Sequence, residues 1–416
     1  MKILFLSDDF PPGSRGGAEV NIFNLAQGLR AKGHEVVVIA TTQDHKQAGV
    51  SEYEGIMVHR IYSNYHRFFT HYFAMYNPFT VREIERIMRG VRPDIVHAHN
   101  IHAYISFYSL KLARRYARGV FLTAHDTMLI SYGKFDSFID MSDLSIQKNF
   151  NYTLSIWDHL RTARKRYNPF RNIAIRHYLK YVDRIFANTG VLKQALEHNG
   201  ISNVEVAHYG TDIKEAVLAG AVQMFKTKFN IINKKIILFG GRLSREKGGE
   251  VAVRALALVL RTVPNAALIV VGRQDDYARY MEQLAGELGV GQHIIFTGWL
   301  SREDMNLAYA SVDAVITPSL YFDAFNLFNL EAMASSRPVV GTCFGGTPEV
   351  ILDGVTGFVV NPLNIEMLGE KIVLLLNNSE MARKMGEAGA RRAREKFNIE
   401  HQVSQTLAWY QKVIDQ

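Results

Sequence analysis

Several short stretches carry residues whose types and spacing could do chemistry. From Thr317 to Ala334 the chain sets Asp323 in a loop and Glu331 eight residues later, inside the apolar run Leu330-Glu331-Ala332-Met333-Ala334. A carboxylate in such a run is costly without a hydrogen-bonding partner. A ribose diol is one suitable partner; a backbone amide or an arginine is another. A helix starting near Asn326 would aim the backbone amides around Phe325, Asn326, Leu327 and Phe328 at an anion. From Gly240 to Gly249, Arg242 and Lys247 stand five residues apart in a glycine-flanked loop. Arginine offers a fork for phosphate oxygens and lysine a compact point charge, so the pair could neutralise a diphosphate. The plainer alternative is a solvated charged loop. Near the start, Gly16-Gly17 opens a helix and would let backbone approach an anion closely, or simply punctuate a turn. His125-Asp126 follows another apolar run, where a histidine serves either a ligand or a structural hydrogen bond. Gly272, after the run Leu268–Val271, and Phe344-Gly345-Gly346-Thr347-Pro348-Glu349-Val350 complete the set.

These loops follow brief apolar segments bounded by Gly, Pro, Asp or Asn. In the first half the segments are 3–6, 36–39, 95–98, 120–124 and 185–187; in the second, 236–239, 268–271, 294–296, 314–316, 339–340 and 358–360. Runs apolar on both faces predict parallel strands covered on both sides. Ile22, Leu25, Ala26 and Leu29 form one helical stripe, closed by Gly33 before His34-Glu35 leads into the next strand. Repeated, this unit predicts two doubly wound α/β domains, with ligands beyond the carboxyl ends of the strands. The boundary is expected within 210–234, where Gly210-Thr211-Asp212 ends one pattern and Lys234-Lys235 opens another. The final stretch, 399–413, reads as a helix that could pack on either domain. Residues 127–180 break the rhythm, with Trp157, Arg161, Arg164, Lys165, Arg166, Tyr167, Phe170 and Arg171.

The bulk properties agree. A chain of 416 residues suggests two domains, and 48% hydrophobic with 21% charged residues is globular. Cys343 is the single cysteine, which excludes an internal disulfide framework and a four-thiolate metal site and fits a reducing compartment. No run of 18 apolar residues occurs, and the short apolar start runs into acids and prolines, unlike a signal peptide. A formal net charge of +8 favours phosphate-bearing ligands, anionic membranes or nucleic acid. No dedicated nucleic-acid module is evident.

Taken together and in order, Gly16-Gly17, His125-Asp126, Gly241–Lys247, Asp323–Ala334, Gly345-Gly346-Thr347-Pro348-Glu349 and Gly354-Val355-Thr356-Gly357-Phe358 resemble the retaining GT-B glycosyltransferases of family 4 over nearly the whole chain. The resemblance implies two Rossmann-like domains facing a cleft: residues 1–212 on the acceptor side, joined by the last helix, 399–416, and residues 213–398 holding a UDP- or GDP-sugar. Arg242 and Lys247 would bind the diphosphate and Glu331 the ribose. Gly272, Phe325, Asn326 and Leu327 would line the donor site. Asp323 would stand in place of the family's first glutamate beside the transferred sugar, with His125 and the Gly16-Gly17 loop closing from the first domain. The implied chemistry is metal-independent, with no cofactor, the nucleotide-sugar being a substrate. The acceptor would be a glycan, a lipid-linked sugar or a small molecule, in cell-surface polysaccharide or glycolipid biosynthesis. A cytoplasmic protein is expected, peripheral on the inner face of the membrane. The aromatic and basic residues of 127–180 could shape the acceptor side and meet anionic lipid, or form a solvated helix packed on the first domain. Two departures from the family stand out: Asp323 is one methylene shorter than glutamate, and Ala324-Phe325-Asn326 replaces Pro-Phe-Gly. Asparagine tolerates positive φ better than most residues. The alternatives are a nucleotide-sugar epimerase on the same architecture and a non-catalytic nucleotide-sugar-binding partner subunit. A dinucleotide-dependent oxidoreductase is set aside, since no Gly-x-Gly-x-x-Gly follows strand 3–6 or 236–239.

Overall fold

A computed structural model describes residues 1–13, 16–211 and 218–416. Ser14 and Arg15 of the first glycine loop, and Asp212 at the expected domain boundary, lie outside them. The chain divides into two compact units. The first comprises Met1–Ser137, Tyr152–Gly210 and Ile399–Gln416; the second comprises Phe138–Asn151 and Thr211–Asn398.

The first unit is built on β1 (Lys2–Leu6), β2 (Glu35–Thr42), β3 (Gly49–Tyr53), β4 (Ile56–Tyr62), β5 (Ile95–Ala98), β6 (Gly119–Ala124), β7 (Arg184–Ala187) and β8 (Val204–Val206). They form one sheet in the order β3-β4-β2-β1-β5-β6-β7-β8, parallel except where β3 meets β4. Ile3, Leu4, Phe5 and Leu6 are all fully buried, as a central parallel strand requires. The helix Gly17–Ala31 buries Ile22, Leu25, Ala26 and Leu29, the stripe its spacing predicts, and Gly33 turns the chain back at φ +82°. The closing helix, Ile399–Ile414, belongs to this unit: Gln402 Oε1 accepts from Asn21 at 3.0 Å and from the Gly210 amide at 2.7 Å.

The second unit is built on β9 (Lys235–Gly240), β10 (Ala266–Val271), β11 (Ile294–Gly298), β12 (Ala314–Thr317), β13 (Val339–Thr342) and β14 (Gly357–Val360). They form an all-parallel sheet in the order β11-β10-β9-β12-β13-β14. Its core joins strand residues such as Phe239, Leu268 and Ile316 to the helix Gly249–Val259, which buries Val253 and Leu256.

Residues 138–151 are a departure from the expected division, which placed them with the acceptor domain. Asn361 Nδ2 donates to the carbonyls of Asp143 and Ser145, both at 2.7 Å. Phe138 meets Phe322 and Phe344 edge-on at 5.8 and 6.1 Å. The segment thus packs beside the Asp323 loop in the second unit.

Candidate active site

The second unit gathers its polar residues at the carboxyl ends of β9, β12 and β13. Lys247 follows β9, and its Nζ lies 2.7 Å from Asp323 Oδ2. Ser319 Oγ and Asn326 Nδ2 donate to that same oxygen, each at 3.1 Å. Asp323 is only 5% exposed, so its charge needs these partners. Burial works against the Lys247 ammonium, but the Asp323 carboxylate outweighs it and holds the group protonated well above the usual lysine range. The Asp323 backbone is fixed as well: its carbonyl accepts from the Gly346 amide at 2.9 Å. Gly345 stands at φ +70°, where a β-carbon would lie 2.4 Å from that carbonyl oxygen. Glycine is therefore required there.

Asn326 caps the helix Leu327–Ala334, its Oδ1 accepting from the Phe328 amide at 3.1 Å. Its φ is −89°, so the family's glycine position makes no demand for positive φ in this chain. The same side chain caps the helix and holds Asp323. The Phe328 amide, expected to face an anion, is taken by that cap. Phe325 is buried with its ring 5.9 Å from Phe397, and Leu327 is half-buried at the helix start.

Glu331 lies in this helix but apart from the Asp323 cluster. Its Oε2 accepts from Tyr309 Oη at 2.8 Å, and burial together with that carboxylate pushes the phenol well above its usual range. Arg242 is exposed, with no ion pair or side-chain hydrogen bond among the described residues. Gly272 lies against the Gly241 carbonyl, which a β-carbon would approach to 2.6 Å. The cluster therefore unites Lys247, Asp323 and Asn326, while Arg242, Gly272 and Glu331 occupy separate places around it.

Sequence reasoning missed three participants: Ser319, Tyr309 and the buried Asn329. Asn329 Oδ1 accepts from Thr317 Oγ1 at 2.7 Å, and its Nδ2 donates to Thr347 Oγ1 at 3.3 Å, tying β12 to the Gly345-Gly346 turn. The argument that singled out Glu331, a polar residue in an apolar helix, applies equally to Asn329.

In the first unit, Gly16 caps the helix Gly17–Ala31 with φ −72°, and the Glu19 carboxylate sits over it. His125 follows β6 and is 8% exposed. Its Nε2 lies 3.0 Å from His99 Nδ1, and its Nδ1 bonds Tyr209 Oη. His99 Nε2 is buried without a partner. Orphaned N–H groups are rarer than bare acceptors, which assigns the proton to His99 Nδ1 and makes His125 Nε2 the acceptor. Burial pushes His125 down to about 4 and His97 to about 3. His97 stacks on His99 with centroids 4.3 Å apart and bonds Tyr410 Oη at 2.5 Å. Asp8, also unforeseen, holds the loop after β5: its carboxylate accepts from the Ala103, Tyr104 and Ile105 amides at 2.7–2.8 Å.

Residues 15–215 match the family described as Glycosyltransferase Family 4, and residues 223–392 match Glycosyl transferases group 1. The chain carries both glycosyltransferase domains. It is 26% identical to an uncharacterised glycosyltransferase of Methanocaldococcus jannaschii, over 99% of this chain and 98% of that protein. It is 28% identical to the GDP-mannose-dependent alpha-(1-6)-phosphatidylinositol monomannoside mannosyltransferase of Mycolicibacterium smegmatis, over 56% of this chain and 61% of that one. Among solved structures, sucrose-phosphate synthase of Thermosynechococcus elongatus superimposes with a TM-score of 0.80 at 20% identity, covering 100% of this chain and 99% of that chain. Anabaena HepE in complex with UDP and glucose gives 0.73 at 19%, covering 98% and 100%. These likenesses establish the GT-B fold. The Lys247–Asp323 cluster falls inside the group 1 match, and His125 inside the family 4 match.

Proposed function

We propose that this glycosyltransferase moves a sugar from a UDP- or GDP-sugar to a glycan, lipid-linked or small-molecule acceptor, with retention of configuration and without a metal. The observation that carries the reading is the pairing of half-buried Lys247 with buried Asp323 at the carboxyl edge of the six-stranded sheet, where open α/β sheets bind ligands. HepE was solved with UDP and glucose, and the mycobacterial relative uses GDP-mannose and a phosphatidylinositol mannoside; both support a nucleotide-sugar donor. The second also supports a lipid-borne acceptor. We place the protein on the cytoplasmic side, in peripheral contact with an anionic membrane.

In this mechanism the bond from the anomeric carbon to the diphosphate breaks as the acceptor oxygen bonds the same face. A diphosphate oxygen takes the acceptor proton. Lys247 and Arg242 stabilise the departing charge, Glu331 holds the ribose, and Asp323 orients the sugar through a hydroxyl. His125 serves the acceptor side. Lys247 has two claimants, Asp323 and the diphosphate. Screening UDP- and GDP-sugars by melting shift and nucleotide release identifies the donor, since a selective ligand raises apparent stability. Anomeric analysis of the product by NMR checks retention. No stabilisation and no release across the panel would reject the reading.

A further inference from the structure

The six-stranded sheet has two edges, and the proposed sugar transfer uses one of them. At the opposite, amino edge, Lys235 opens β9, Asn265 precedes β10 and Asp313 precedes β12. These residues line a polar cavity of about 270 Å³ within the second unit. Its lining is basic: Lys226, Lys234, Lys235 and Arg337 stand against one carboxylate, Asp313, an excess of three positive charges. Asp313 is already committed. Its Oδ2 accepts from the Ile236 amide at 2.7 Å, and its Oδ1 lies 3.9 Å from Lys235 Nζ. Helix ends account for two of the cations. Arg337 Nη1 and Nη2 donate to the Val312 and Ala310 carbonyls, each at 3.1 Å, closing the helix Arg302–Ser311. Lys226 lies in the last turn of the helix Ala219–Lys228, where a cation offsets the helix dipole. Lys234 has neither duty. It is half-buried, and among the described residues its side chain makes no ion pair and no hydrogen bond.

Two polar atoms in the same wall are incomplete. Ser311 is 4% exposed and its Oγ has no partner; Arg337 Nε is also buried without one. Buried polar atoms are nearly always hydrogen-bonded, and an unmet donor is rarer than an unmet acceptor. Water in the cavity could meet a hydroxyl but would leave the excess of charge. An anion with several oxygens answers both needs, and a phosphate group suits converging lysines and N–H donors. A metal cation is repelled by the same lining. Size narrows the class. Drug-sized ligands take about 300–1,000 Å³, so this cavity suits a small phosphate monoester better than a nucleoside diphosphate.

We propose that this cavity binds a small phosphate monoester, of the size of a sugar phosphate, with Lys226 and Lys234 as its charge partners and Ser311 and Arg337 as donors. The site lies at the opposite ends of the strands from the Lys247–Asp323 cluster, and it does not rest on the transferase reading.

Isothermal titration of the full chain with glucose 6-phosphate, inorganic phosphate and sulfate, each with and without saturating UDP or GDP, tests it. Glucose 6-phosphate should bind more tightly than either inorganic anion and keep its affinity when the nucleotide is present. Lys226→Ala combined with Lys234→Ala should weaken it ~100-fold, at about tenfold for each charged hydrogen bond lost, and leave nucleotide affinity unchanged. Ser311→Ala should weaken it severalfold while the melting temperature holds, because the hydroxyl serves no partner in the protein. Melting temperatures near that of the parent show that the lysine variant folds. Four results overturn the proposal: no binding of glucose 6-phosphate, its displacement by UDP or GDP, sulfate bound as tightly as glucose 6-phosphate, or affinity untouched by the lysine changes. The readout needs no sugar transfer, so its failure leaves the transferase assignment standing.

Discussion

Two polar clusters sit at the carboxyl ends of parallel strands in the two sheets, and they handle burial in opposite ways. In the second unit, Lys247 and Asp323 keep their charges by pairing, with Ser319 and Asn326 adding donors. In the first, His97, His99 and His125 lose theirs: burial drives each imidazole below its ordinary range. A paired charge is vulnerable to loss of its partner, a neutralised base to acid. The two clusters should therefore fail under different insults.

The largest expected effect comes from Asp323→Ala. It removes the orienting carboxylate and frees the Lys247 ammonium at once. Turnover should fall ~100-fold or more, while affinity for the nucleoside diphosphate is kept or rises, because Lys247 no longer has a competing anion. Lys247→Ala should instead lose both turnover and product affinity. It also strands a buried carboxylate, at a cost of about 3 kcal/mol or more in stability. Isothermal titration with UDP and GDP, beside initial rates, separates the two variants; full turnover in Asp323→Ala would remove Asp323 from the mechanism.

Next in size is the acid response of the first unit. The unfolded chain protonates these histidines near pH 6.5, whereas folded His125 waits until about 4 and His97 until about 3. Between those values the unfolded state binds more protons, so stability falls as pH falls from 6.5 towards 4, by on the order of 3 kcal/mol for His125 alone. Asp8 acts with the opposite sign: burial raises it to about 6, so its share of stability is lost as pH rises from 3.8 to 6. Three histidines outweigh one aspartate. Denaturant unfolding from pH 7 to 4.5 should show the first unit weakening first, and His125→Gln should flatten the slope. An unchanged slope would mean that this imidazole is not held neutral.

How much of this was legible in the sequence follows the same physics. Strands buried on both faces announce themselves as continuous apolar runs, and β1, β5, β9 and β12 lie where such runs stand. β3 and β4 were missed because β3 is mostly exposed and β4 is broken by the half-buried polar pair His59-Arg60. β8 is a three-residue edge strand. At the site, glycine turns and strand-end charges marked Lys247, Asp323 and His125. The partners Tyr309 and His99 depend on packing between segments distant in sequence, which no local pattern encodes, whereas Ser319 lies only four residues before Asp323 and was within reach of a local reading. The placement of 138–151 beside Phe322 and Phe344 is likewise a long-range packing outcome.

A smaller effect probes the edge of the charged cluster. Glu331→Gln keeps the shape but removes a charge. If Glu331 holds the ribose, nucleotide affinity should drop about 5- to 30-fold, or 1–2 kcal/mol, with little change towards a free sugar phosphate. Tyr309→Phe removes the donor at 2.8 Å and should cost about 1 kcal/mol of stability, with a milder loss of nucleotide affinity. Equal nucleotide binding by Glu331→Gln and the parent would leave Glu331 as a partner of Tyr309 alone.

The smallest expected effect distinguishes this chain from its family. Asn326 stands where the family usually has glycine, and it does two jobs, capping the helix through Oδ1 and holding Asp323 Oδ2 through Nδ2. Asn326→Gly restores the family residue. Replacing an N-cap by glycine costs only a few tenths of a kcal/mol, and losing one hydrogen bond to a charged group about 1.5 kcal/mol or somewhat more. Asp323 keeps Lys247 and Ser319, so the carboxylate is not stranded. The net destabilisation should be about 1–2 kcal/mol, below that of Lys247→Ala. Turnover should fall only severalfold, because Asp323 is loosened and not removed. Asn326→Asp keeps a capping oxygen but sets a second carboxylate within about 3 Å of Asp323, so it should be worse than glycine. Melting curves of the two variants decide the point: if the aspartate variant melts no lower than the glycine one, the asparagine amide does not serve Asp323, and its role ends at the helix cap.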